Sequence, residues 1–244
     1  MAEKPAVRIN KYLSELGYCS RRAADKLIDE GRITVNGKPV VMGLKVTSED
    51  SIAVDGVSVN KKADKPVYIA FNKPVGIVCT TDTRFEKNNI VDYINYPTRI
   101  FPIGRLDKPS EGLIFLTNDG DIVNKILRAR NHHEKEYVVT VDKPITKEFV
   151  AKMSKGVPIL DTVTRPCEVT QTHKKTFKII LTQGLNRQIR RMCEYLGYNV
   201  ITLKRIRIMN VSLDVGVGTW RHLTKKELEK INGLVEHSKK TFDG

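Results

Sequence analysis

The chain has 244 residues, enough for one large or two smaller domains, and 40% of them are hydrophobic, enough for a sizeable core. Its formal charge of +14, with a sequence pI of about 9.6, favours a polyanionic partner, either nucleic acid or anionic lipid. No run of about eighteen apolar residues is present, which excludes a membrane-spanning helix, and four scattered cysteines with no C-x-x-C pair argue against a structural zinc site and a redox motif.

The first residues, Met1-Ala2-Glu3-Lys4-Pro5, have no apolar h-region and do not read as a secretory signal. Together with the cysteine pattern this predicts a reduced, cytoplasmic protein. Ile9, Leu13 and Leu16 fall at i, i+4 and i+7, which predicts a short amphipathic helix from Arg8 to Gly17. Ser20 then caps a second helix with Ala24, Leu27 and Ile28 on its inner face, ending before Gly31. Ile33-Thr34-Val35, Asn36-Gly37 and Lys38 to Val41 form a hairpin signal, since Asn-Gly suits a type I′ turn, and Ile52 to Val54, Asp55-Gly56 and Val57 to Val59 repeat it. Residues 1–62 therefore read as a small separate domain of two helices followed by short strands.

Its cations cluster on the helices and first hairpin: Arg8, Lys11, Arg21, Arg22 and Arg32 are the candidate phosphate contacts, since such a helix pair can grip structured RNA by shape and charge. The strings Arg8-Ile9-Asn10-Lys11-Tyr12-Leu13, Ser20-Arg21-Arg22-Ala23-Ala24 and Gly31-Arg32-Ile33-Thr34-Val35-Asn36-Gly37 resemble the small RNA-binding module first known from ribosomal protein S-four. That family usually has Asp where Asn10 stands.

Residues 63–66 read as a polar linker. Beyond it, strands are predicted at Val67 to Phe71, Ile114 to Thr117, Glu136 to Val141 and Phe177 to Leu181, and helices at Phe149 to Met153, Ile189 to Leu196 and Leu223 to Ile231. The fold class is α+β, with a mixed, mainly antiparallel sheet in the domain 67–232. Residues 233–244 read as a frayed tail. From Lys174 to Arg207 nine Lys and Arg (174, 175, 178, 187, 190, 191, 204, 205, 207) face a single acid, Glu194, a candidate electrostatic footprint.

The chemistry centres on Pro102-Ile103-Gly104-Arg105-Leu106-Asp107-Lys108-Pro109-Ser110-Glu111-Gly112, followed at once by Leu113 to Leu116. Asp107 sits between cations in a Gly- and Pro-bounded loop before a buried strand, where rigid backbone can aim an ionised carboxylate. Three further strings accompany it: Asn72-Lys73-Pro74-Val75-Gly76, a turn; Lys135-Glu136-Tyr137; and Gln183-Gly184-Leu185-Asn186-Arg187-Gln188-Ile189-Arg190-Arg191-Met192. In this order they resemble the pseudouridine synthases, in the branch that modifies ribosomal RNA.

The resemblance implies an RNA uridine isomerase with Asp107 as catalytic nucleophile, either attacking the ribose carbon or taking a neighbouring ribose proton. It places Arg105 near an extruded base, Tyr137 stacked on that base, and Arg190 paired with Asp107, with Arg187 the runner-up for that pairing. Asn186, Arg187 and Arg191 are alternative phosphate ligands, and Leu185 departs from a common family Arg. No phosphate loop, metal-binding pattern or dinucleotide fingerprint is present, so no cofactor and no metal is expected. Within the branch the chain most resembles large-subunit (23S) ribosomal RNA enzymes. A small-subunit or tRNA enzyme of the same branch is the alternative, and no membrane partner and a monomer are expected. A glycoside hydrolase would need a second carboxylate across a sugar groove, for which Glu111 and Asp119 alone are poor evidence. A non-catalytic ribosome-assembly factor explains the charge, but not the Asp, Tyr and Arg strings together. The two readings separate on whether Asp107, Tyr137 and Arg190 line one cleft.

Overall fold

The computed structural model describes residues 6–59, 64–82, 86–127 and 132–236. The chain divides into two compact units, Met1–Pro66 with Pro97–Arg99, and Val67–Tyr96 with Ile100–Gly244. Of the expected linker, residue 63 lies outside the described residues, as does 237–244 of the expected tail.

The first unit runs β1 (Val7–Arg8), α1 (Ile9–Glu15), α2 (Arg21–Asp29), β2 (Ile33–Val35), β3 (Lys38–Pro39), β4 (Lys45–Val46), β5 (Ile52–Val54) and β6 (Val57–Ser58). Ser20 caps α2 as its spacing predicts, its hydroxyl oxygen accepting from the Ala23 N–H at 3.1 Å. Both two-residue turns have positive φ at each position, Asn36 at 50° with Gly37 at 76° and Asp55 at 51° with Gly56 at 76°, as a type I′ hairpin requires. The strands pair in the order β3-β2-β5-β6, and Ile9, Leu13, Ala24, Ile28, Ile33 and Val54 close the core between helices and sheet. The β1–β4 pair was not foreseen, because two residues carry no readable period.

The second unit runs β7 (Tyr68–Lys73), α3 (Ile90–Ile94), β8 (Phe101–Ile103), β9 (Glu111–Thr117), α4 (Gly120–Leu127), β10 (Lys135–Val141), α5 (Lys147–Lys155), β11 (Pro158–Ile159), β12 (Thr162–Val163), β13 (Glu168–His173), β14 (Thr176–Leu181), α6 (Gln188–Tyr195), β15 (Val200–Ile208), β16 (Val211–Ser212), β17 (Trp220–His222) and α7 (Lys225–Val235). Its nine-stranded sheet has the order β13-β14-β10-β15-β9-β7-β17, with β16 on β15 and β8 on β9. Every pairing is antiparallel except β15 with β9, which is the mixed, mainly antiparallel sheet expected.

Strand alternation sends Ile69, Phe71, Ile114 and Leu116 to one face, packed with residues of α3, α5 and α6. Ala70, Leu113 and Phe115 go to the other, with residues of α4 and α7. The sheet centre is therefore buried on both faces, which is why β7 and β9 read as continuous apolar runs.

Several boundaries differ from the sequence reading. β9 begins at Glu111, not Ile114. Leu223 precedes its helix instead of opening it, because Thr224 and Glu227 form a capping box that starts α7 at Lys225. The frayed tail does not begin at Gly233: α7 continues through Val235, which is 2% exposed against the second core.

Candidate active site

A cleft of about 680 Å³ opens in the second unit, lined by the loop between β8 and β9, by Lys135 and Tyr137 of β10, by residues 183–190 and by Arg205 of β15. Asp107 and Arg105 come from the first of these, Arg187 and Arg190 from the third. The Asp107, Tyr137 and Arg190 strings, 30 and 53 residues apart in sequence, thus meet in one cavity.

The Asp107 loop is held from three sides. Its own turn closes through the Ser110 N–H to the Asp107 carbonyl at 3.0 Å. The Lys73-Pro74-Val75-Gly76 turn supports it through the Gly76 N–H to the Lys108 carbonyl at 2.8 Å, and Cys79 Sγ accepts from the Leu106 N–H at 3.4 Å. That turn is itself fixed by Lys73, 0% exposed, whose Nζ donates to the Pro74 and Ile77 carbonyls at 2.8 Å each. From the third side Arg190, 7% exposed, donates through Nη2 to the Pro109 carbonyl at 3.0 Å and Ser110 Oγ at 3.1 Å, and through Nη1 to the Val200 carbonyl at 3.3 Å.

The expected Arg190–Asp107 pair is therefore not a direct contact. Among the described residues no ion pair within 4 Å includes Asp107, although its charge does act on the guanidinium. Arg190 spends its hydrogen bonds on the backbone and Ser110 beside Asp107. Burial lowers its pKa, the Arg187 charge lowers it further, and Asp107 opposes both.

Tyr137, 9% exposed, is the cross-strand neighbour of Arg205, whose guanidinium carbon lies 5.9 Å from the ring centroid. A β-bulge sets this up. Between Glu136 and Tyr137 the register on β15 skips Ile206, so Arg207 opposes Glu136 while Arg205 opposes Tyr137. Arg207 then bonds Glu136 at 2.9 Å and Glu134 at 3.0 Å, whereas Arg205, 3% exposed, turns to the cleft and donates through Nε to the Leu113 carbonyl at 2.6 Å. Gly112 permits the close approach: it has φ +111°, and a Cβ there would collide with the Arg205 carbonyl oxygen. The buried Nε of Arg190 and Nη2 of Arg205 meet no acceptor among the described residues. Lys135 also lines the cleft, its Nζ donating to the His133 carbonyl at 3.2 Å; burial and the Arg205 charge bring its pKa down to about 8. Burial likewise lowers the pKa of Lys73 and raises that of the Cys79 thiol.

The sequence reading missed Lys73, Ser110 and Arg205 as site-building residues. Lys73 and Ser110 stood inside quoted strings, but only the fold shows which backbone they hold. The stripe from Lys174 to Arg207 is not one free basic surface: Arg190 and Arg205 are buried, Lys178 and Lys204 pair with Glu136 and Glu111 on neighbouring strands, and Arg207 pairs with Glu134 just before β10 and Glu136 on it. Arg191 does not line the cleft; it donates to the Asn186 carbonyl at 3.1 Å.

In the first unit, Arg8, Arg21 and Arg22 are exposed and enter no ion pair among the described residues. Lys11 meets Glu15 at 3.3 Å. Arg32 forks onto Asp55 at 2.7 and 2.6 Å and reaches Glu30 at 3.1 Å, so this candidate phosphate contact is committed to acids of its own domain. Asn10 donates to Asp25 at 2.7 Å, where an Asp would set two carboxylates together.

Among the described residues no helix is long and apolar enough to cross a membrane, and no group of three or more His, Cys, Asp or Glu is placed to hold a metal ion. Compared with known proteins, residues 67–195 match the family described as RNA pseudouridylate synthase, and residues 7–52 match the S4 domain. The chain is 56% identical over 240 residues to the dual-specificity RNA pseudouridine synthase RluF of Escherichia coli K12, covering 98% of this chain and 82% of that protein. It is 37% identical over 244 residues to the ribosomal large subunit pseudouridine synthase B of Bacillus subtilis, covering 96% and 99%. A crystal structure of a pseudouridylate synthase superposes with TM-score 0.69 at 28% identity, covering 92% of this chain and 99% of that one.

Proposed function

We propose, for a chain that belongs to the RNA pseudouridylate synthase family, that it isomerises a specific uridine of large-subunit (23S) ribosomal RNA, with Asp107 as nucleophile. The observation that carries this reading is the meeting of Asp107, Tyr137 and Arg190 in one cleft. The large-subunit target is supported by the Bacillus subtilis relative, whose name states it.

In this reading the target uridine leaves its stack and enters the cleft, with Tyr137 against the base and Arg105 beside the gap left in the RNA. Asp107 attacks C1′ of the ribose as the bond to N1 breaks, and the electron pair leaves with the base as a uracil anion. The base turns, C5 bonds to C1′, and the Asp107 carboxylate is released. Arg190 is a positioning residue, holding the Pro109-Ser110 backbone that aims the carboxylate. Residues 1–62 form the RNA anchor through Arg8, Arg21 and Arg22, the linker covers 63–66, and the catalytic domain runs from 67 through the end of α7 at Val235. A tRNA is a second candidate substrate, favoured by the word dual-specificity in the name of the Escherichia coli relative.

The test is to incubate the protein with 23S rRNA, 16S rRNA and tRNA transcripts and to map carbodiimide-dependent reverse-transcription stops. A new stop at one uridine of 23S rRNA is expected. Stops confined to 16S rRNA, or to tRNA, would contradict the large-subunit assignment.

A further inference from the structure

The first bond cleavage of the proposed reaction puts a negative charge on the base. The electron pair of C1′–N1 leaves with the uracil, which spreads it over N1, C5, O2 and O4. Asp107 stands on the sugar side and is itself an anion, so it cannot hold that charge. In a cleft shielded from water the developing anion calls for a cation already in place.

We propose that Arg205 is that cation: its guanidinium stabilises the uracil anion at the edge of the base, an assignment that rests on the Asp107 reading above. Arg205 is 3% exposed on β15 and lines the cleft, yet among the described residues it enters no ion pair. The acids on and beside the neighbouring strands are taken, Glu111 by Lys204 and both Glu134 and Glu136 by Arg207. Its Nε is fixed on the Leu113 carbonyl at 2.6 Å, while its outer N–H groups meet no acceptor among the described residues. A buried guanidinium with unmet N–H groups is costly to the fold. A substrate group in the cleft is what can offset that cost.

The placement suits a base and not a phosphate. The Arg205 guanidinium carbon lies 5.9 Å from the centroid of the Tyr137 ring, so a base resting on that ring has the cation beside it. Arg105 and Arg187 also line the cleft and are exposed, as phosphate contacts would be; Arg205 lies too deep for a phosphate that keeps its water. Arg190 has an unmet N–H at Nε, but its outer nitrogens are committed to Pro109, Ser110 and Val200. Lys135 lines the cleft too, but burial and the Arg205 charge bring its pKa down to about 8, so it loses its charge long before a guanidinium does as pH rises. The step balances. An Asp107 oxygen bonds to C1′ as the C1′–N1 pair passes to the base. The anion's pair then forms the C5–C1′ bond, and the pair between Asp107 and C1′ returns to the carboxylate. Arg205 donates hydrogen bonds throughout and gives up no proton.

The test follows single-turnover loss of the parent nucleoside from a 23S rRNA fragment carrying uridine or 5-fluorouridine at the mapped target. Wild type, Arg205→Met and Arg205→Lys are compared, with Asp107→Asn beside them and RNA affinity and thermal midpoint measured in parallel. Fluorine at C5 withdraws electrons and makes uracil a better leaving anion, so it lessens the need for Arg205. Arg205→Met is expected to slow uridine conversion by roughly 10²–10³-fold, and 5-fluorouridine conversion by clearly less, with RNA affinity kept. Arg205→Lys, which keeps the charge but not the fork, should fall between Arg205→Met and wild type on both counts. A rate near wild type in Arg205→Met, or equal losses on the two substrates, would overturn the assignment. Equal losses with weaker RNA binding would make Arg205 a phosphate ligand instead. Should the midpoint show that Arg205→Met does not fold, the same comparison of substrates in Arg205→Lys decides. Turnover by Asp107→Asn would instead overturn the reading on which the proposal rests.

Discussion

In the proposed reaction, Asp107 is aimed by residues that do not themselves touch the reacting atoms. Arg190 and Cys79 fix the loop through three hydrogen bonds, at Pro109, Ser110 and Leu106, and Lys73 fixes the supporting turn through two, at Pro74 and Ile77. A buried charged donor is worth roughly 1.5–3 kcal/mol per hydrogen bond, and misplacing a reacting group by about 1 Å can cost about 10²-fold in rate. Arg190→Met is therefore expected to lower kcat by about 10²-fold with RNA affinity retained, and Arg190→Lys to fall short of wild type because an ammonium cannot reproduce the fork. Unchanged kcat in either variant, measured under saturating RNA, would remove Arg190 as the loop's anchor. Asp107 and Arg190 were legible because each sits in a compact string with its own punctuation. Arg205 was not: its neighbours Lys204 and Arg207 look equivalent in sequence, and only the bulge at Ile206 sends one side chain to the cleft and the other to Glu134 and Glu136.

The parallel contact of β9 with β15 joins the Asp107 loop to the strand that carries Arg205, and it depends on Gly112. Gly112→Ala adds backbone strain of about 1–3 kcal/mol at φ +111° and drives a methyl group into the Arg205 carbonyl. We expect a lower thermal midpoint and a larger loss of turnover than of RNA binding; a variant as stable and active as wild type would show that the strands can separate freely. A second element has a pH signature. Arg221 binds Glu227 at 2.7 and 2.8 Å at the start of α7, where the Thr224 cap also donates to it, and together they lower the Glu227 pKa from 4.5 to about 2. A depressed carboxylate stabilises the fold above its unfolded pKa and loses that contribution as pH falls towards 2. Arg221→Met should therefore destabilise the protein at pH 7 and progressively less below pH 4.5, followed by urea unfolding; an equal penalty throughout would contradict the pairing. Elements with a clear period or cap, such as β10, β14, α2 and α6, could be read from sequence. β13 and β15 could not, because Glu168-Val169-Thr170-Gln171-Thr172-His173 lies exposed at the sheet edge and β15 is interrupted by cations whose acidic partners lie on other strands.

At the scale of the whole chain, the charge of +14 divides into two kinds. In the second unit much of it is internal, bound to backbone or to acids around the cleft. In the first unit Arg8, Arg21 and Arg22 stand exposed without an ion pair among the described residues, available to phosphate. Replacing all three by Ala should weaken RNA binding and make its dependence on log salt shallower by roughly two to three units, since each lost phosphate contact removes about 0.7–0.9. An unchanged slope would remove these residues from the RNA contact. Net charge named the partner class, but only the fold separates cations that face solvent from those that build the cleft.

Asp107 as the nucleophile of a uridine isomerisation is tested most plainly by release of tritium from C5 of labelled uridine in 23S rRNA, wild type beside Asp107→Asn. Release by the wild type alone, with RNA bound equally by both, is the predicted result. Release by both proteins would remove Asp107 as nucleophile, and release by neither on rRNA that is tightly bound would contradict the isomerase reading of this cleft on that RNA.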